Sequence, residues 1–272
     1  MAGWDDVELE GQINIFDILG EKLEDLNLKD KHIRLIELFG GVGSQAMALR
    51  DIGADFETYR LVEFDKYPVA SYNAIHGTHF EPTDITKISA EDLGIVETDK
   101  YTYLLTYSFP CQDISVAGLG KSLEKGSGTR SGLLWEVERL LNECESDVRF
   151  KLPQVLLMEN VKNLLSAKHK PHFDKWCEYL ETKGYKNYYQ VMNAKNYGIP
   201  QNRERVFMVS VLGNYKYTFP KPIELTTTMK DFIEDKVDDR YYITSDKAKA
   251  LVDKLILGGK LPVPKVGGVV RA

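Results

Sequence analysis

From Ile33 to Phe39 (IRLIELF) the chain is almost unbroken apolar sequence rich in branched residues, and the run stops at Gly40-Gly41-Val42-Gly43. A continuous apolar run closed by glycine predicts a strand buried on both faces of a parallel sheet. Ser44 to Ile52 (SQAMALRDI) has helical composition, with Gly53 placed to end it. Further strands are predicted at Tyr59–Phe64, Tyr103–Ser108, Gln154–Glu159, Tyr188–Asn193 and Arg205–Leu212, with a helix from Asp65 to His76. Leu133, Val137, Leu140 and Leu141 are spaced as one face of another helix. Strands alternating with helices imply right-handed crossovers, and the fold class expected is α/β with a doubly wound, mostly parallel sheet.

Three segments depart from this rhythm. Residues 1–30 form an acidic arm with one apolar knot, Ile13 to Leu19. Ala117 to Gly132 holds five glycines and almost no large apolar side chain, which predicts a mobile surface loop. Beyond Leu212 the pattern decays, and residues 223–272 offer one helix, Lys247 to Leu257, and a Gly/Val/Pro tail. The expected layout is an arm at 1–30, a main domain at 31–222, and a remainder at 223–272 too poor for a second complete domain.

Composition narrows the class. The chain has 272 residues, 43% apolar and 28% charged, the balance of a globular protein and not of a disordered one. No apolar run approaches a membrane span, and the acidic start lacks a signal peptide's layout, so a cytoplasmic protein without membrane contact is expected. Cys111, Cys144 and Cys177 are too few and too scattered for a disulfide framework or a Cys/His zinc site. The net charge of −6 hides an asymmetry: residues 1–30 carry nine acids and two lysines, whereas 151–220 carry eleven Lys/Arg and five Asp/Glu. An acidic total therefore leaves room for an anionic partner on a local positive face, although charge alone favours a solvated lysine-rich surface.

Candidate chemistry gathers at the predicted strand ends. Glu37-Leu38-Phe39-Gly40-Gly41-Val42-Gly43 is a strand, a glycine turn and a helix start, which lets backbone approach a ligand. No Gly-Lys-Ser/Thr follows, so it is not a phosphate loop; Ala46 sits at the third glycine position of a dinucleotide fingerprint. Glu63 ends the second strand beside Phe64 and Asp65, where an acid can accept two ribose hydroxyls and an aromatic can stack on a base. Asp84, before Ile85, is either a third-strand-end acid or a helix cap. Ser108-Phe109-Pro110-Cys111-Gln112 leaves the next strand, and a thiolate at such a strand end is a nucleophile. Cys144 and Cys177, on helical patterns, read as core residues. Glu159-Asn160-Val161 closes a buried strand, so Glu159 is expected to emerge partly desolvated with a raised pKa. Gln201, Arg203 and Arg205 alternate in an extended segment and share a side, suited to an anion or to an ion-pair row with Glu204.

Taken in order, Phe39-x-Gly41-x-Gly43, Glu63-Phe64-Asp65, Asp84-Ile85, Phe109-Pro110-Cys111-Gln112, Arg130-Ser131-Gly132-Leu133, Glu159-Asn160-Val161 and Gln201-x-Arg203-x-Arg205 resemble the DNA (cytosine-5) methyltransferases. The resemblance runs from about Ile33 to Leu212. It implies S-adenosylmethionine as cofactor, with Phe39, Gly41 and Gly43 near its methionine part, Glu63 on the ribose, Phe64, Asp84 and Ile85 around the adenine, and Pro110 also among the cofactor-binding residues. It also implies Cys111 as the nucleophile toward carbon 6 of a flipped cytosine, Glu159 on ring nitrogen 3 and the amino group, Arg203 on the carbonyl oxygen and Arg205 in support. Double-stranded DNA is the implied partner, in a bacterial or phage modification system. The variable recognition region and the final Gly-Asn segment typical of the family are not evident. A truncated or split, non-catalytic fragment complemented by a C-terminal chain, or the same chemistry on transfer RNA, therefore stand as alternatives.

Overall fold

The computed structural model describes residues 31–111, 130–234, 237–242 and 244–260. The acidic arm, Gln112, residues 117–129 of the glycine-rich loop and the terminal tail lie outside them. Four strands run parallel in the order β2-β1-β3-β4: β1 (Ile33–Leu38), β2 (Phe56–Val62), β3 (Thr102–Tyr107) and β4 (Val155–Val161). A hairpin of β5 (Tyr185–Asn193) and β6 (Glu204–Leu212) completes the sheet, with β6 antiparallel to β4 and β5 at the edge. The sheet is the mostly parallel α/β type that the alternation predicts. β1 and β3 lie in its middle and are buried along nearly their whole length, as their apolar composition requires.

Alternation along the strands divides the core. Leu35 points to one face, with Ala46 and Leu49 of α1 (Ser44–Asp51) and with Val209 and Val211. Ile36 and Leu38 point to the other, where α4 (Leu134–Ser146) brings Leu134, Val137, Leu140, Leu141 and Cys144 and α5 (Lys170–Thr182) brings Phe173, Trp176 and Leu180. The helical face read from leucine spacing is thus the buried one. Between these lie α2 (Lys66–His76), capped by the Asp65 side chain on Tyr67 N, and the short α3 (Ala90–Leu93). Burial pushes the Cys144 and Cys177 thiols up to about 12, in keeping with their place in the packed interior.

One expectation needs correction, and one open choice is decided. β2 starts at Phe56 and ends at Val62, so Glu63 lies just past the strand and not at its last position. Of the two readings open at Asp84, the structure forms the cap: that residue caps a single 3-10 turn, Ile85–Lys87, its Oδ1 accepting from Thr86 N at 3.0 Å and Thr86 Oγ1 at 2.8 Å. Asp84 can bond its own backbone two residues on, and that local bond displaces a strand.

The described chain divides into two compact units at Leu225/Thr226. The second contains α6 (Asp246–Leu257) and two short 3-10 turns, and none of its described residues is buried.

Candidate active site

Every candidate segment lies at one edge of the sheet. The carboxyl ends of β1, β2, β3 and β4 meet there, and antiparallel β6 brings its amino end to the same edge, with Val161 paired to Arg205.

On the β1–β2 side, Phe39 N donates to Val62 O at 2.7 Å and the chain turns sharply. Phe39 has φ 58°, a left-handed conformation that costs a bulky residue energy and marks a turn held by its surroundings. Gly41 (φ +57°) has open space where a side chain would stand, so a ligand can approach its backbone. At Gly43 (φ +82°) a Cβ would lie 2.5 Å from the Tyr72 ring and 2.4 Å from His76 Nε2, so no side chain fits. Glu63 ties the two strand ends together, accepting from Gly41 N at 3.1 Å through Oε2 and from Asp65 N at 3.0 Å through Oε1. Each oxygen keeps a lone pair, enough for a pair of hydroxyls. Phe64 beside it is 74% exposed, a flat apolar surface without protein cover. Thr83 N donates to Glu63 O at 2.7 Å, which brings the Asp84–Ile85 turn alongside. Arg139 of α4 holds that turn from the other side by donating to Ile85 O at 2.9 Å, itself braced by Glu136 and Glu143. An open glycine backbone, a diol-ready carboxylate, an exposed aromatic and a capped acid are a donor and acceptor set that fits S-adenosylmethionine.

On the β3–β4 side, Phe109 is buried and Cys111, two residues on, is a partly exposed free thiol. Asn160, 2% exposed, joins this loop to β4: Nδ2 donates to Phe109 O at 3.0 Å and Oδ1 accepts from Val161 N at 2.9 Å. Glu159, the preceding residue, is about three-quarters buried and its Oε1 receives Arg205 Nε at 3.0 Å. Burial pushes the Glu159 carboxyl above its ordinary range, while Arg205, Arg203 and a hydrogen bond from Ser108 pull against the shift. An acid in that state can hold or share a proton with a ring nitrogen. Beside it opens a cleft of about 660 Å³, walled by Val161, Lys162, Asn163, Leu165, Ser166, Val191, Glu204 and Arg205.

Arg203 is exposed and acts on Glu159 only through its charge. Its backbone is fixed by Asn193, whose Oδ1 accepts from Arg203 N at 3.2 Å, and by Ala194 N donating to Arg203 O at 3.0 Å. The ion-pair row expected of Glu204 with the arginines is not formed: Glu204 binds Lys162 at 3.0 Å instead. Arg205 gives its Nε to Glu159, while its Nη1 donates to the Glu204 carbonyl at 2.8 Å. Gln201 is exposed just before the strand, and Arg130–Leu133 forms a short 3-10 turn leading into α4. The roles of Asn160, Asn193 and Arg139 had no sequence signal of their own, except that Asn160 sits inside Glu-Asn-Val.

The C-5 cytosine-specific DNA methylase family model matches residues 33–254. The chain is 36% identical over 263 residues to the type II methyltransferase M2.ScrFI of Lactococcus lactis subsp. cremoris, covering 79% of this chain and 71% of that one. It is 32% identical to the orphan methyltransferase M.SssI of Spiroplasma monobiae, covering 78% and 67%. Its fold is similar to the crystal structure of the S. pombe Dnmt2 methyltransferase, with a TM-score of 0.61 at 20% identity over 82% of this chain and 66% of that one. The chain spans about two thirds of the length of these relatives. With a model matched over most of its length, and with the methyl-donor fold at its centre, the chain belongs to the C-5 cytosine-specific DNA methylases, enzymes that depend on S-adenosylmethionine.

Proposed function

We infer that this chain methylates carbon 5 of a cytosine flipped out of double-stranded DNA, in a modification system of the bacterial or phage kind. The observation that carries the reading is the joint between nucleophile and acid: Asn160 Nδ2 on Phe109 O at 3.0 Å puts Cys111 and Glu159 on one rigid edge. Carbon 5 of cytosine is a poor nucleophile within its aromatic ring. The Cys111 thiolate adds to carbon 6, forming a C–S bond and pushing the ring's electrons toward carbon 5 and nitrogen 3. Glu159, whose carboxyl burial pushes above its ordinary range, holds nitrogen 3 and stabilises the charge that builds there. Arg205 orients Glu159, and Arg203 holds the cytosine carbonyl oxygen. S-Adenosylmethionine, when bound, would supply an electrophilic methyl group to carbon 5 and leave as the neutral thioether; Phe39, Gly41 and Gly43 of the turn, Glu63 and Phe64, and Asp84, Ile85 and Pro110 would hold it. A base then takes the proton from carbon 5, the electrons return to the ring, and Cys111 leaves. The target carbon is stacked within a duplex, so the base must leave the helix first.

These groups read the ring and not the sugar, so transfer RNA is the alternative substrate, and the 2′-hydroxyl is where the two would be told apart. The test is trapping. 5-Fluorocytosine carries fluorine where cytosine has its carbon 5 proton, so Cys111 cannot be eliminated after methyl transfer: the wild-type chain with S-adenosylmethionine forms a covalent adduct with 5-fluorocytosine DNA, and Cys111→Ser forms none. An adduct with substituted transfer RNA and none with DNA selects the alternative. Cofactor binding without an adduct on either polymer leaves a binding fragment and overturns the catalytic reading. An adduct that survives Cys111→Ser removes Cys111 from its role.

A further inference from the structure

Glu37 has no part in the chemistry above, yet it lies fully buried on β1 two residues before Phe39. Its Oε2 accepts from the Tyr72 hydroxyl at 2.5 Å, and its Oε1 is buried without a hydrogen-bond partner among the described residues. In the sheet its neighbours are Leu61 and Thr106, which bring no charge. From α1 it meets the Ala46 amide, and from α2 it meets Tyr72, with His76 4.4 Å from the tyrosine ring. His76 Nε2 is in turn 3.2 Å from Val42 O, inside the turn. Tyr72, together with His76, leaves no room for a Cβ at Gly43, so the phenol that bonds Glu37 also abuts the turn. A buried, half-satisfied acid costs stability, and an apolar residue would cost less.

We propose that Glu37 and Tyr72 are positioning residues for the cofactor turn: ionised Glu37 accepts from Tyr72 and attracts the nearby Ala46 amide at the start of α1 through its charge, fixing Phe39–Gly43 from beneath and tightening S-adenosylmethionine binding. This rests on the reading that the turn holds the cofactor. Burial pushes the Glu37 carboxyl up to about 7, so the charge that does the fixing appears as the pH passes neutrality. Protonated Glu37 must donate from one oxygen, and its hold on the amide at the start of α1 weakens.

Calorimetric titration of S-adenosylmethionine into the full chain between pH 6 and 8.5 tests this, on wild type, Glu37→Gln and Tyr72→Phe. Glu37→Gln is expected to bind about tenfold more weakly at pH 8 and to lack the step in affinity near pH 7 that wild type shows. Comparing the two proteins cancels the ligand's own amine, which titrates in the same range. Tyr72→Phe removes a bond that favours the ionised acid, so its step moves to higher pH. At saturating cofactor the rate of 5-fluorocytosine trapping stays at the wild-type value in both variants, because the pair acts through binding. Equal affinities with parallel pH profiles overturn the proposal. Should Glu37→Gln fail to fold by circular dichroism, the direction of the Tyr72→Phe step decides. A wild-type chain that binds no S-adenosylmethionine at any pH overturns the cofactor reading, and this inference with it.

Discussion

Asn160 uses both ends of its amide on backbone, one on the loop of Cys111 and one on its own strand. Alanine there leaves the Phe109 carbonyl buried without its donor, a loss of about 1–3 kcal/mol. The Pro-Cys segment loosens where a small displacement of the thiol matters most. Asn160→Ala is expected to slow methyl transfer by about ten- to a hundredfold with S-adenosylmethionine affinity within about twofold of wild type, checked by single-turnover rates beside calorimetry. Aspartate at that position sets a carboxylate against a carbonyl and is expected to be no better. Glu37 makes the complementary case, in which a polar group weakens the fold. Its folded pKa of about 7 stands above the unfolded 4.5, so between those values the folded chain holds a proton the unfolded chain has released. Stability from this group therefore falls as pH rises through that window, by about 3 kcal/mol at most. Urea unfolding at pH 5 and pH 8 is expected to show a smaller loss in Glu37→Gln than in wild type; an equal loss would mean the carboxyl is not desolvated.

At the scale of elements, the turn between β1 and α1 combines a strained Phe39 with a glycine pressed against α2. Gly43→Ala meets both a positive φ and a Cβ 2.5 Å from the Tyr72 ring, an aromatic wedged between β1 and the turn with little freedom to retreat. The expected cost is about 3 kcal/mol, read as a lower urea midpoint at unchanged m-value, with α1 displaced from the sheet. Most of this layout was legible in the chain: apolar runs ended by glycine, a leucine face on α4, and Pro-Cys-Gln and Glu-Asn-Val at strand ends. The bonds that join elements were not. Tyr72 to Glu37 spans 35 residues and Arg139 to Ile85 spans 54, and neither pairing leaves a local periodicity to detect. The ion-pair row of Glu204 with its neighbouring arginines was one of two readings open there, and it does not form because the β4–β6 pairing sets Lys162 across from Glu204. At Asp84 the sequence left a strand end and a cap open, and the cap forms because its own side chain satisfies the following backbone.

For the molecule as a whole, the antiparallel insertion of β6 is what assembles one site from distant sequence. A parallel β6 would start at the opposite edge and carry Arg205 away from Glu159. The same edge then has two halves, a cofactor half on β1 and β2 and a base half on β3, β4 and β6, and they can be tested apart. Glu63 belongs to the first alone. Its carboxylate accepts the Gly41 and Asp65 amides, both near solvent, so alanine there returns two amides to water at little cost to the fold. The lost acceptor for a ligand diol and the loosened Gly41 turn are expected to weaken S-adenosylmethionine by at least about tenfold, read by calorimetry on the chain and its Glu63→Ala variant. The thermal midpoint should move by no more than a few degrees, which separates a lost contact from a lost fold. Trapping of 5-fluorocytosine DNA at saturating cofactor should recover, because Cys111 and Glu159 hang on the other strands. Binding unaffected by Glu63→Ala would place the cofactor away from β2, and with it the exposed Phe64 would lose its explanation.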